Sequence, residues 1–191
     1  MSVALPFMKR PKFLTGELAG DVGFDYFGFA NSKTALMGYR EAEIKHARLA
    51  MLAVVGWPLS ELLDLDASGH APTLLNRGLA KINPLFWGTF YFAATVIDLY
   101  GIYKEVTARN YAFPGDLGFD PLGFYPEGEE ERMEMQVAEI KHGRIAMIGV
   151  AAIALQEYIG REGVVETTPI FEPVKILIKS TMEMDYTGEM L

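Results

Sequence analysis

Charge is written into the chain's apolar helical stretches, and it is written there twice. Glu43-Ile44-Lys45-His46-Ala47-Arg48-Leu49-Ala50-Met51 returns 96 positions later as Glu139-Ile140-Lys141-His142-Gly143-Arg144-Ile145-Ala146-Met147, and an apolar run follows each copy. The repetition reaches upstream, because GDVGFDYFGF at 20–29 matches GDLGFDPLGF at 115–124 with an offset of 95. An internal repeat therefore covers 20–63 and 115–159, with a loop, a spacer and a helix in each copy. A duplicated segment implies a duplicated role.

Three long helices are expected, over about 33–63, 83–104 and 129–159. The first follows Asn31-Ser32, an N-cap pair, and contains Pro58, which predicts a kink. The last opens on an acidic turn, as the helix dipole favours. Across 82–103 only Asp98 is charged, which suits a membrane span of about 20 residues. Residues 64–72 read as a loop containing an exposed His70, 74–82 as a short amphipathic piece, and 172–179 as an amphipathic tail helix lying at an interface.

The first and last helices cannot cross a bilayer on apolar residues alone. Only twelve uncharged residues separate Arg48 from Glu61, and twelve separate Arg144 from Glu157. They span only if Glu, His and Arg enter as well, and an unpaired charge at that depth costs about 2.5–3.5 kcal/mol. Glu43 and Arg48 lie about 140° apart around one helix and do not face each other. The economical solution is reciprocal, pairing Glu43 with Arg144 and Glu139 with Arg48. Ala47, Ala50, Ala53 and Gly56, like Gly143, Ala146, Gly149 and Ala152, recur at every third position and permit close helix approach. The expected fold is an all-α membrane protein in one domain over 1–191. It has three transmembrane helices, the first and third crossed and pseudo-twofold related, plus short amphipathic helices.

Composition narrows the chemistry. The chain is 50% hydrophobic and has no cysteine, which excludes disulfides, thiolate metal sites and thiol catalysis. A formal charge of -8, with 17 Lys and Arg in no long block, argues against nucleic acid. No signal or transit-type stretch opens the chain, so a targeting segment is expected to have been removed.

Glu43 and His46 lie about 60° apart on one helix face, as do Glu139 and His142. Gln156, fourteen residues beyond His142, returns to within about 40° of the same meridian, about 21 Å further along. Such a column of oxygen and nitrogen ligands suits a hard or borderline ion, magnesium among them. A magnesium already held by a flat macrocycle needs only one axial ligand, so each side chain can serve its own pigment. A carboxylate balanced by arginine can ligate without leaving net charge in lipid. Glu-x-x-His on two helices is also the di-iron carboxylate signature, which needs two further inward Glu from two more helices. Here the third helix offers one Asp, and an Arg two residues after each His opposes iron.

The pair EIKHARLAM and EIKHGRIAM, with PGDLGFDPLGF ahead of the second, closely resembles the chlorophyll-binding light-harvesting antenna family from about Leu5 to Val165. His142, where green-plant members usually carry Asn, and FPGDLGFDPLGFYP resemble the red-lineage algal branch with chlorophyll a/c and fucoxanthin-type antennae. The resemblance implies that Glu43, His46, Glu139, His142 and Gln156 are axial ligands to chlorophyll magnesium, and that Arg48 and Arg144 are the crossed ion-pair arginines. It implies carotenoid end groups at the loops of Asp25 and Asp120. It also implies a further pigment near Asp98, where the family more often has Glu and where Phe90 stands in place of an earlier Gln. The implied cofactors are chlorophyll a, chlorophyll c and fucoxanthin or a related xanthophyll. The implied partners are a photosystem core, neighbouring antenna subunits and thylakoid lipids. The implied role is non-enzymatic, with no catalytic residue: multi-pass in the plastid thylakoid membrane, passing excitation energy to a photosystem. The alternative within the family is a stress-related member that dissipates energy.

Overall fold

A computed structural model describes residues 2, 4–7, 9–63, 82–107, 113–178 and 180, and among them every regular element is helical. The first helix, α1, is Lys33–Leu63. Ser32 caps it, its Oγ accepting from Ala35 N at 3.1 Å while its carbonyl accepts the first turn's Leu36 N at 3.0 Å. α1 continues through Pro58. The second helix, α2, is Pro84–Thr107. Asn83 starts it by accepting from Leu85 N at 2.9 Å, and Pro84 takes the first position, where a missing N–H costs nothing. The third, α3, is Glu129–Gly160, with Glu129, Glu130 and Glu131 in its first turn. It ends where Arg161 adopts a left-handed φ of 58° and donates its N–H to Glu157 O at 2.8 Å.

A short helix, α4, Val164–Thr167, and a 3-10 turn, Pro169–Phe171, were not anticipated from the sequence. Residues 172–178 form the tail helix, α5. The loop expected at 64–72, the amphipathic piece up to residue 81, His70 and Lys179 lie outside the described residues.

The chain divides into two compact units, Met1–Met51 with Thr95–Met147, and Leu52–Ala94 with Ile148–Leu191. In the first, Ala19, Ile44, Ala47, Ala50, Ile140 and Ala146 are buried. α1 and α3 touch there so closely that a Cβ on Gly143 would lie 2.3 Å from that of Ala47. Two loop glycines close the unit reciprocally. A Cβ on Gly115 would lie 2.7 Å from Ile44 Cγ2, and one on Gly20 would lie 3.0 Å from Ile140 Cγ2. Both glycines also hold positive φ, so no other residue meets both demands.

In the second unit Val164 and Val165 are buried. Glu61 Oε2 accepts from Val165 N at 3.0 Å, and Trp57 Nε1 donates to the fully buried Glu157 at 2.6 Å. The other oxygen of the Glu61 carboxylate, Oε1, is buried with no hydrogen-bond partner among the described residues.

The buried apolar set is small, and large apolar side chains such as Phe27, Phe92, Phe119, Ile148 and Ile159 stand exposed. Continuous exposure of this kind needs an apolar phase or apolar ligands against it. One described helix is long and apolar enough to cross a membrane, over Pro84–Lys104, and its side chains point almost wholly outward.

Candidate functional site

The reciprocal ion pairs lie in the first unit. Arg144 Nε donates to Glu43 Oε1 at 2.8 Å, and Arg48 Nε donates to Glu139 Oε1 at 2.8 Å. Each guanidinium also reaches the opposite loop: Arg144 Nη1 donates to Gly20 O at 3.0 Å, and Arg48 Nη1 to Gly115 O at 2.7 Å. One arginine thus neutralises a carboxylate on the facing helix and satisfies a loop carbonyl at once. The two copies lock each other. Arg40, which is buried, adds a second guanidinium to Glu43, its Nη1 donating to Oε2 at 2.8 Å while its Nη2 donates to Ala19 O. Nothing in the duplicated nonapeptide pointed to Arg40, since its match in the second copy is Gln136, which donates to Tyr125 Oη at 2.8 Å.

His46 and His142 are exposed, each orienting its ring within its own helix. Nδ1 of His46 lies 2.7 Å from Ala42 O, and Nδ1 of His142 lies 2.8 Å from Ala138 O. A carbonyl only accepts, so Nδ1 carries the proton and Nε2 is left as a lone-pair donor, the arrangement by which a metal-binding histidine is held in one tautomer. Each His opens an exposed aliphatic stripe, Leu49 and Leu52 after His46, Ile145 and Ile148 after His142. An outward nitrogen ligand above an apolar stripe fits a flat, apolar macrocycle whose metal lacks one axial ligand.

Gln156, in the second unit, turns its amide nitrogen to the hydroxyls of Thr167 and Thr168, at 2.5 and 3.2 Å. Asp98 is exposed and its Oδ1 accepts from Lys45 Nζ at 2.5 Å; Lys45 also pairs with Glu41 at 2.9 Å. That pairing across 53 residues had no sequence signal. Lys45 competes with any ligand for the Asp98 carboxylate.

The two GFD loops fold alike. Asp25 accepts from the N–H of Phe29 at 3.0 Å and of Ala30 at 2.9 Å; Asp120 accepts from Phe124 at 3.1 Å and Tyr125 at 2.8 Å. Those amides, Tyr125 N–H foremost, hold the Asp120 carboxyl below its ordinary pKa against the opposing effect of desolvation. The preceding Asp21 and Asp116 make the same tight turn, accepting from Gly23 N at 2.7 Å and Gly118 N at 2.8 Å. Arg10 pairs with Asp21 at 3.1 Å.

Beside each loop lies an open groove of about 610 Å³, and the two linings match repeat for repeat. Phe24, Asp25, Phe29 and Glu43 line one; Phe119, Asp120, Phe124 and Glu139 line the other. Among the described residues no group of three or more His, Asp and Glu could hold a free metal ion.

Among the described residues the scaffold is all-helical and carries duplicated Glu and His side chains beside exposed apolar faces. The chlorophyll A-B binding protein family profile matches residues 10–158. Light-harvesting complex stress-related protein 3.2 of Chlamydomonas reinhardtii is 32% identical over 182 residues, 85% of this chain and 67% of that protein. Chlorophyll a-b binding protein 6A of Solanum lycopersicum is 32% identical over 168 residues, 82% of this chain and 68% of that protein. Fucoxanthin-chlorophyll a-c binding protein of Isochrysis galbana is 34% identical over 148 residues, 70% of this chain and 71% of that protein. The chain belongs to the chlorophyll a-b binding protein family and is a chlorophyll-binding, light-harvesting protein.

Proposed function

We propose that the chain is a three-span antenna of the plastid thylakoid membrane, holding chlorophylls a and c and a fucoxanthin-type xanthophyll. Glu43, Glu139, His46, His142 and Gln156 each give one axial ligand to a chlorophyll magnesium, and Asp98 borders a further pigment on α2. Carotenoids lie in the two matched grooves, with end groups against the loops that Asp25 and Asp120 order. The pigments supply the optics, and the protein fixes their spacing and orientation so that excitation passes to a photosystem core through neighbouring antenna subunits. Arg48 and Arg144 let α1 and α3 carry carboxylates into the bilayer as neutral pairs, which makes three spans possible where, among the described residues, one helix is apolar enough by itself.

The observation that carries this reading is the matched state of His46 and His142, each with Nδ1 committed to its own helix and an apolar stripe beside it. Refolding the chain with extracted chlorophylls and carotenoids tests it. Chlorophyll a and c should co-purify at fixed ratio, and excitation of chlorophyll c or carotenoid should yield chlorophyll a emission. A product that retains no pigment, or one whose pigments fluoresce independently, would overturn the reading. A long chlorophyll a fluorescence lifetime is the expected mark of harvesting; a strongly shortened one would identify an energy-dissipating member.

A further inference from the structure

The proposed ligands differ in what aims them. His46 and His142 are oriented by carbonyls of their own helix, and Glu43 and Glu139 by arginines of the facing one. Gln156 is oriented by neither; its amide meets a chain segment that has left α3 and turned back.

A primary amide offers an oxygen acceptor and an NH₂ donor of nearly equal shape, and only the oxygen can ligate magnesium. Which end points outward therefore decides whether Gln156 is a ligand. The Thr167 hydroxyl has a single proton, and it is directed back along α4 to Gly163 O at 3.1 Å, in the i−4 pattern common for helical threonine. Thr167 Oγ1 thus presents lone pairs to Gln156, and the group facing it at 2.5 Å is the NH₂. Thr168 Oγ1 accepts from the same nitrogen at 3.2 Å. The hydroxyls are themselves held in place, because Val164 and Val165 are buried and Val165 N–H is bonded to Glu61.

Resting on the reading of Gln156 as a magnesium ligand, we propose that Thr167 and Thr168 are positioning residues that fix its amide with Oε1 outward, toward a chlorophyll lying over the exposed Leu155 and Ile159. The segment after α3 is then part of a pigment site, and α4 with the capping residue Thr168 presents two hydroxyl acceptors.

The test uses the full chain refolded with chlorophylls and carotenoids, read by pigment stoichiometry and low-temperature absorption. Gln156→Leu should lose about one chlorophyll and thereby identify its absorption band. The double variant Thr167→Val, Thr168→Val should lose or displace that same band, and Thr167→Ser alone should keep it in place. The Gln156→His variant would aim its imidazole through the Ala152 carbonyl, as His46 and His142 do with carbonyls one turn back. In the Gln156→His background the two valines should therefore leave the band unmoved. If Gln156→Leu keeps its full chlorophyll complement, Gln156 is not a ligand and the underlying reading fails at this residue. Two results overturn the proposal itself, because either would show that the threonines do not aim the amide. In one, Gln156→Leu loses a chlorophyll but the double valine variant matches wild type. In the other, the valines move the band equally in the Gln156→His background.

Discussion

Among the described residues, Glu43 in the first copy of the repeat is held by two guanidiniums, Arg144 and Arg40, whereas Glu139 in the second copy is held by one, Arg48. The helix contact is unequal in the same way: Ala47 on α1 faces Gly143 on α3, with no room for two methyl groups. The Glu and His of the repeat, its arginines Arg48 and Arg144 and the loop aspartates are duplicated without change; Arg40 and Ala47, matched by Gln136 and Gly143, are not. A reciprocal pair of helices needs a glycine on only one side of its closest contact. It likewise needs surplus charge on only one of its two carboxylates, so drift in one copy is tolerated where it would not be in both.

That inequality predicts which half fails first. Arg48→Leu removes the cation from Glu139 and one donor from Gly115 O, and in the proposed three-span arrangement should cost about 2.5–3.5 kcal/mol. Arg144→Leu should cost clearly less, because Arg40 still neutralises Glu43. Thermal loss of pigment circular dichroism in refolded variants checks the ranking. Equal costs would show that Arg40 contributes nothing to the balance.

Next in size is the contact itself. Gly143→Ala, which makes the second copy read like the first, should destabilise by about 1–3 kcal/mol as an overpacked contact. Adding Ala47→Gly should recover part of this, though not all, since the new Cβ would still meet the Cα of residue 47 at 3.2 Å. The same melting experiment reads both.

The smallest effect belongs to the second loop. The Asp120 carboxyl is held below its ordinary pKa, so its contribution is complete above the unfolded carboxylate value of about 3.9 and is lost as pH falls through the lower folded value. Asp120→Asn should lower the neutral plateau slightly and flatten that part of the acid limb, so that the two stability profiles converge at low pH. An acid limb identical to wild type would remove Asp120 from the pH dependence.

The sequence reveals much of this because duplication makes spacing informative. The five-residue step from Glu43 to Arg48 forbids pairing within a helix, and a second copy in register supplies the partner. Helix limits were legible for equally local reasons: Ser32 as a cap, the acidic turn at Glu129, and an apolar run interrupted only by Asp98. What could not be read depends on chain that returns from far away. Lys45 meets Asp98, Trp57 meets Glu157, and Glu61 binds the amide of Val165, each across a separation with no periodic signal. α4 is four residues long, too short to show a helical period, yet it carries the hydroxyl that faces Gln156. Arg40 was hidden for the opposite reason: the repeat drew attention to what is shared, and Arg40 is where the copies differ.

Whether the duplicated segment is a duplicated pigment site is decided by chlorophyll counted per chain in refolded His46→Leu, His142→Leu and the double variant. Each single variant should lose about one chlorophyll and the double about two, with the arginine-carboxylate pairs and the helical fold intact. A double variant that folds and keeps its full chlorophyll complement would contradict the account.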